Sequence, residues 1–183
     1  KPGIILVSYK DSATAFNGVK KDIIEGKGVL NNTFTCFFFE WLSKHGIENH
    51  FEGKVSDNEH LAKQVSIIPL EVIVRNVAAG TLAKRIGKEE GYVMKFPIIE
   101  LCYKNDALGD PMLNDDHIIA LDIASKEELN HIKDIALKVN DLLRKFYKEY
   151  GLELIDFKLE FGHTSDGSII VADEISPDTC RIW

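Results

Sequence analysis

The sequence predicts an α+β fold with antiparallel sheets, and three observations carry that prediction. Apolar runs of strand length recur along the chain, with IIPLEVIVRN (67–76) and LELIDFKLEFG (152–162) the clearest. One long amphipathic helix stands apart from them at 126–150. Two C-terminal runs are joined by a short turn containing Asp166-Gly167, the mark of an antiparallel hairpin. Strands, helix, strands, helix and hairpin in that order suggest an α+β fold with antiparallel sheets.

Taken in order, GIILVSY (3–9) reads as a short strand. Residues 10–28 are polar and broken by glycine, and are expected to form a loop, either a connection or a substrate lid. Residues 29–46 read as a buried helix stopped at Gly46, and 49–56 as a strand. The β-branched density of 67–76 marks a buried strand, followed by a glycine turn and short helix over 78–87. Residues 96–104 form another strand and 105–117 a polar loop. The helix at 126–150 begins with Ser125 and Glu128 spaced for a capping box and stops at Gly151. Within it Leu129, Ile132, Ala136, Val139, Leu143, Phe146 and Tyr150 recur every three or four residues, which puts them on one face.

A chain of 183 residues, 45% hydrophobic and 28% charged, can bury a sizeable core as one domain or two small ones. Its net charge of -7 argues against nucleic acid as a partner, because phosphate contacts need clustered Lys and Arg. Small anions remain open to it through a local basic pocket. No apolar run approaches the ~20 residues of a membrane helix. Cys36, Cys102 and Cys180 are far apart and show no metal-ligand spacing, which points to a reducing, cytoplasmic setting with each thiol a small buried hydrophobe. His45 and His60 read as surface residues.

LIDFKLEFG (154–162) holds the most informative pattern. Ile155, Phe157, Leu159 and Phe161 share one face, and Asp156, Lys158 and Glu160 share the other. If Asp166-Gly167 is a two-residue loop, Glu160 falls opposite Asp173 and Lys158 opposite Ile175. Two opposed carboxylates repel unless something neutralises them, and a Mg²⁺ ion shared with nucleotide phosphates does so well. Lys158 beside them adds a point charge for a phosphate. The competing reading is a solvated sheet face with a simple Lys–Glu pair.

Other candidates are individually weaker. Arg75 ends a buried strand and precedes the small-residue turn of Ala79, Gly80 and Thr81, an arrangement suited to an anion. Arg75 could equally pair with Glu71. Asp178 and Arg181, three residues apart, form either an ion pair or a substrate contact. Lys104, Asn105 and Asp106 lie in a polar turn, and Asn17 in the segment 10–28.

LIDFKLEFG together with IIPLEVIVRNVAAGT closely resembles the two signature segments of the SAICAR synthetase family of purine biosynthesis. The likeness continues through DSATAFNG, EGKGVLNN, AKRIG, YKNDALGDP, NDDH and DEISPDTCRIW, covering nearly the whole sequence in order. It implies an ATP-dependent ligase that joins CAIR (carboxyaminoimidazole ribotide) to L-aspartate through an acyl phosphate, giving SAICAR, ADP and phosphate. It implies a two-lobed, kinase-like or ATP-grasp-like α+β arrangement with the nucleotide between lobes, here residues 1–70 and 71–183. Further strands upstream and helices downstream belong to the family pattern.

Residue by residue, the resemblance puts Mg²⁺ on Glu160 and Asp173. It puts the ATP phosphates and the forming acyl phosphate near Lys158 and Lys104, with Asp156 orienting Lys158 or a substrate group. Arg75, Thr81 and Arg181 match the holders of the CAIR phosphate, Thr81 standing where the signature usually has Ser. Asp178 matches a position near the aminoimidazole or amino acid, and Asn17 a substrate-contacting loop. The family's members form homo-oligomers, commonly dimers. A small-molecule kinase with the same lobes, or a non-catalytic nucleotide-binding module, would share much of this site.

Overall fold

The computed structural model describes residues 3–15 and 20–183. The strands and helices are, in chain order, β1 (Ile4–Ser8), β2 (Ser12–Ala15), β3 (Lys20–Ile23), α1 (Lys27–Lys44), β4 (Phe51–Ser56), β5 (Glu59–Lys63), β6 (Ser66–Ile67), β7 (Leu70–Val77), α2 (Gly80–Ile86), β8 (Val93–Tyr103), β9 (Met112–Leu113), α3 (Asp115–Ala120), α4 (Lys126–Glu149), β10 (Leu154–His163), β11 (Ile169–Ala172) and β12 (Cys180–Ile182). Among the described residues every ladder is antiparallel, and only an isolated bridge from Asn49 to Val171 runs parallel. The α+β expectation holds.

Three sheets form. One has the order β1-β5-β4, a second is the β2-β3 pair, and the large one runs β11-β10-β7-β8-β9 with β12 and β6 also pairing β10. β10 is the hub because it pairs with β7, β11, β12 and β6 while its apolar row faces the core. Phe157, Leu159 and Phe161 pack with Val72 and Val74 of β7, Phe38, Phe39 and Leu42 of α1, and Leu129, Ile132, Val139 and Leu143 of α4. Ile155 departs from this row and packs with Val77 and Ala79. At roughly 25 cal/mol per Å² of apolar surface, such wholly buried side chains contribute about 1.5–3 kcal/mol each.

The two long helices show how the ends are fixed. In α4 the Ser125 hydroxyl accepts from the Glu128 N–H at 3.2 Å, and Glu128 accepts from the Ser125 N–H at 2.7 Å, so the predicted capping box forms. Tyr150, expected on the core face, lies beyond the helix and is 68% exposed. The N-terminus of α1 is capped from a distance: the Asp11 carboxylate accepts from the Gly26 and Gly28 N–H groups. A Cβ on Gly28 would stand 3.0 Å from the Tyr9 carbonyl oxygen, so the close approach of β1's end to α1 calls for glycine there.

Three expectations are corrected. The polar segment 10–28 contains the β2–β3 pair, whose strands are too polar to show an apolar alternation. The polar loop 105–117 contains β9 and the start of α3, where Asn114 caps the helix through the His117 N–H at 2.9 Å. The third is the hairpin register. Glu160 pairs with Ala172, not Asp173. The chain turns through Ser165, Asp166 and Gly167, closed by the Thr164 N–H on the Ser168 carbonyl at 2.9 Å and the Gly167 N–H on the Thr164 carbonyl at 3.0 Å. A two-residue type I′ turn needs both central residues at positive φ, but only Gly167 (φ 87°) is left-handed, which gives the three-residue loop. The added residue shifts the ladder by one and removes the opposition of Glu160 and Asp173.

Candidate active site

The charged row of β10 is not solvated. Glu160 is 1% exposed and Asp156 6% exposed, so each must be paired to be tolerated inside the protein. The partners come from the neighbouring strands and from the chain beyond β8 and β11. Successive same-face residues on a strand are ~6.6 Å apart, so the row sets two charged clusters ~13 Å apart at its ends.

At the Glu160 end, Lys104 reaches Glu160 Oε1 and Oε2 at 2.7 and 2.5 Å from the residue just past β8. Lys158 Nζ lies 2.9 Å from Glu160 Oε1, 3.2 Å from Glu71 Oε1 and 3.5 Å from Asp173 Oδ2. Asp173 therefore joins the cluster despite the wrong register. Its backbone is left-handed (φ 61°), which breaks the alternation at the end of β11 and turns its carboxylate toward Lys158. The His50 ring donates from Nε2 to the Asp173 carbonyl at 3.1 Å and braces that turn. Sequence reasoning had no access to Asp173's φ, nor to the role of His50.

Burial acts against the charge of Glu160, but the hydrogen bonds and charges of Lys104 and Lys158 outweigh it, holding this carboxyl below the usual range. Burial pushes the Asp173 carboxyl up, and the negative Glu160 nearby adds to that. Burial likewise opposes the charge on Lys158, yet its acidic neighbours raise it above an ordinary lysine. Glu174 is raised by burial, and its Oε2 has no hydrogen-bond partner among the described residues.

Lys104, Glu160, Asp173, Glu174 and His50 line a cleft of about 510 Å³ between the β1-β5-β4 sheet and the large sheet. Ile5, Val7 and Tyr9 form one wall, and Lys104, Glu160, Asp173 and Glu174 the other. The carboxylates are hard oxygen donors, and Asp173 and Glu174 carry charge reluctantly without a cation. That set fits Mg²⁺, which takes one or two carboxylates and leaves the rest of its shell to phosphate and water. Among the described residues no group of three or more His, Cys, Asp or Glu is arranged to hold a metal ion by itself.

At the Asp156 end, Arg75 donates from Nε to Glu100 Oε2 at 2.7 Å and from Nη1 to Asp156 Oδ2 at 2.9 Å. The Arg85 guanidinium bonds the other oxygen of Glu100. Arg181, paired with Asp156 in the β10–β12 ladder, brings Nε to 3.6 Å from Asp156 Oδ1. Its guanidinium also lies against Gly80, where a Cβ would be 3.1 Å from Nη1. Thr81 is exposed next to it. The Gly80 N–H is taken by Glu90 Oε1 at 2.8 Å.

The pairing of these residues departs from the sequence reading. Asp156 holds Arg75 rather than Lys158. Glu71 bonds Lys158 rather than Arg75. Asp178 bonds Asn31 at 2.8 Å and the Lys27 ammonium, rather than Arg181. Strand register explains the first two, since Arg75 sits opposite Asp156 in the β7–β10 ladder. Glu100, Arg85 and His50 were missed, because nothing local marks a Glu in an apolar strand as the partner of an Arg 25 residues away. Asn17 lies outside the described residues. His60, expected at the surface, is wholly buried with Nδ1 donating to Asn32 Oδ1 at 2.8 Å.

An α+β fold with paired lysines and carboxylates facing a cleft suits a protein that handles phosphate-bearing substrates. Comparison with known proteins makes the assignment specific. The model of the SAICAR synthetase family matches residues 1–183, and the chain belongs to that family. A phosphoribosylaminoimidazole-succinocarboxamide synthase from Clostridium acetobutylicum is 57% identical over 182 residues, covering 100% of this chain and 77% of that protein. The solved structure of the synthase from Ehrlichia chaffeensis superposes with a TM-score of 0.97 at 43% identity, over 100% of this chain and 78% of its own. A SAICAR synthetase solved in complex with ADP matches with a TM-score of 0.96 at 49% identity, over 98% of this chain and 77% of its own.

Proposed function

We propose that the chain catalyses the ATP-dependent joining of CAIR and L-aspartate to give SAICAR, ADP and phosphate, with Mg²⁺ in the cleft. Family membership carries the reaction class. The single observation that favours this use of the site is the charged row of β10, which links an arginine cluster to a lysine–carboxylate cluster. A substrate with a phosphate at one end and a carboxylate at the other suits two such clusters ~13 Å apart. Arg75, Thr81 and Arg181 would take the CAIR phosphate, and Lys104 and Lys158 the transferring phosphoryl group. Asp178, oriented by Asn31 and Lys27, faces the remaining part of the substrate in this reading.

A free carboxylate is a poor electrophile. Its oxygen attacks the γ-phosphorus of ATP, the bond to the β-phosphate oxygen breaks, and ADP leaves. The aspartate amine then attacks the acyl carbon, phosphate leaves with the activating oxygen, and the amine gives up a proton. Most of the acceleration comes from holding the reactants together and from offsetting charge. Glu160 and Asp173 would hold Mg²⁺, with Glu174 close by, and the ion when bound supplies neutralisation of the phosphate oxygens. Before ligands bind, the acidic neighbours of Lys158 hold it above the ordinary lysine range, so it enters the reaction protonated. It therefore acts as a fixed positive charge rather than as a base.

The two sheets flanking the cleft correspond in this proposal to lobes of residues 1–70 and 71–183, in the kinase-like manner, with the nucleotide between them. Among the described residues no helix is long and apolar enough to cross a membrane. A cytoplasmic homodimer is the state the family resemblance favours. The test is to incubate the protein with Mg-ATP and CAIR, then add L-aspartate, following ADP release and product mass. Aspartate-dependent ADP release with a product of SAICAR mass is the expected result. Phosphorylation without aspartate would make the protein a kinase, and binding without turnover a nucleotide-binding module.

A further inference from the structure

The arginine cluster holds one arginine more than its buried carboxylates. Arg85, Glu100, Arg75, Asp156 and Arg181 form a chain of alternating charge across the large sheet, linked through one Glu100 oxygen to each of Arg85 and Arg75. Three guanidiniums face only two buried carboxylates, the third carboxylate nearby being the exposed Glu90 at the Gly80 N–H. Arg75 alone would pair both buried carboxylates, because it bonds Glu100 and Asp156 at once. Arg85 and Arg181 add to those pairs while staying half exposed, with 43% and 41% of their side-chain surfaces in solvent. A carboxylate buried to 7% exposure that reaches outward to a half-exposed guanidinium is placed to aim it.

We infer that Glu100 is a positioning residue that ties Arg75 and Arg85 into one set, and that Arg85 is a further arginine for the phosphate of the ligand. The inference rests on the anion reading of this cluster given above. Glu100 Oε2 fixes Arg75 through Nε, and Oε1 fixes Arg85 through Nη2. Arg75 is thereby held at Nε by Glu100 and at Nη1 by Asp156, and Arg85 at Nη2 by Glu100, and a planar guanidinium pinned by carboxylates in this way has its remaining N–H groups aimed by them. Holding the donors in place before the ligand arrives removes ordering cost from binding.

The test uses Arg85→Ala, Arg85→Lys, Glu100→Gln and Glu100→Asp in the full-length protein. It measures KM for CAIR, ATP and aspartate, and the Kd of ribose 5-phosphate by calorimetry. Loss of one charge-assisted contact is worth roughly tenfold in affinity. Arg85→Ala should raise both the CAIR KM and the ribose 5-phosphate Kd by about that factor, with the ATP and aspartate KM unchanged within twofold. Glu100→Gln should move the same two constants, and Glu100→Asp should recover part of the loss. A merely structural role would move all three KM values together or lower the amount of folded protein, and that result would overturn the inference. Unchanged CAIR KM and ribose 5-phosphate Kd in Arg85→Ala would overturn it as well, whether or not the Glu100 variants fold, because Arg85 is half exposed. Wild-type protein that binds ribose 5-phosphate but makes no SAICAR would refute the reaction and leave the anion site standing.

Discussion

Lys104 and Glu160, 56 residues apart in sequence, meet at 2.7 Å, and the Glu160 carboxylate, which also accepts from Lys158, is buried to 1% exposure. A buried carboxylate held by two ammonium groups stays ionised well into acid, which is what a ligand for a divalent cation and its phosphates requires. Glu160→Gln keeps the shape and removes the charge. Turnover in saturating Mg-ATP should fall by about two orders of magnitude or more, the usual cost of losing one preorganised charge-stabilising group. The CAIR KM, set ~13 Å away at the arginine cluster, should change little. Steady-state kinetics decides it: near-normal turnover would remove Glu160 from the phosphate-handling groups.

Glu90 occupies the Gly80 N–H at 2.8 Å, beside the Arg181 guanidinium. A ligand phosphate arriving there competes with the carboxylate and feels its charge. Glu90→Gln should therefore lower the CAIR KM by about two- to threefold, the scale of an exposed charge in salt solution, and the effect should shrink as ionic strength rises. A rise in KM, measured at low and high salt, would mean that Glu90 assists binding instead.

Acid should loosen the wall of the cleft. Burial, with help from the neighbouring His60, lowers the pKa of His50 to about 4, and burial also lowers that of His60. An unfolded chain takes up a proton on each near pH 6.5, while the folded chain resists it. Stability is therefore full above pH 6.5 and is lost as pH falls from 6.5 toward 4, by on the order of 2–3 kcal/mol for His50 alone. The raised carboxyls of Asp173 and Glu174 pull the opposite way at the acid end, so a variant isolates the effect. Denaturant unfolding of wild type and His50→Gln from pH 7 to 5 should show a shallower loss in the variant, and parallel slopes would rule His50 out.

How far the sequence reached into this site follows from what a single strand can encode. The period-2 row of LIDFKLEFG placed Asp156, Lys158 and Glu160 on one face and the Phe157–Phe161 row in the core, because alternation is a local property. The capping box of α4 was equally local. The hairpin register was not, since it turned on whether Asp166 adopts positive φ, and Asp-Gly serves both loop types. Asp173 still entered the cluster, but through its own left-handed backbone rather than through pairing with Glu160. Arg85 and Glu100 were invisible for another reason: their meaning lies in one carboxylate bridging a helix and a strand, and no spacing in the sequence records that.

The glycine that ends LIDFKLEFG carries the last prediction. Gly162 lies on the charged face of β10, between Ile170 of β11 and Ile67 of β6. Its φ is unremarkable for a strand, so the reason for glycine is space. A Cβ there would stand 2.6 Å from Val65 Cγ2, 2.9 Å from Val65 Cβ and 3.2 Å from the Ser66 carbonyl oxygen. Real carbon contacts do not reach 2.6 Å, so the 65–66 segment must move away, and it is tied to β10 by the β6 ladder. Gly162→Ala should destabilise the fold by about 1–3 kcal/mol, the usual cost of overpacking. For a chain of this size that is a fall in Tm of about 2–4 °C per kcal/mol. Val65→Ala removes the nearest atom, Cγ2, but leaves its Cβ and the Ser66 carbonyl in place. The double variant should recover part of the loss and show a coupling above about 0.5 kcal/mol, as residues in contact do. Additive single effects, or a Gly162→Ala variant as stable as wild type, would mean that the 65–66 segment shifts freely and that the cleft wall is softer than its packing indicates.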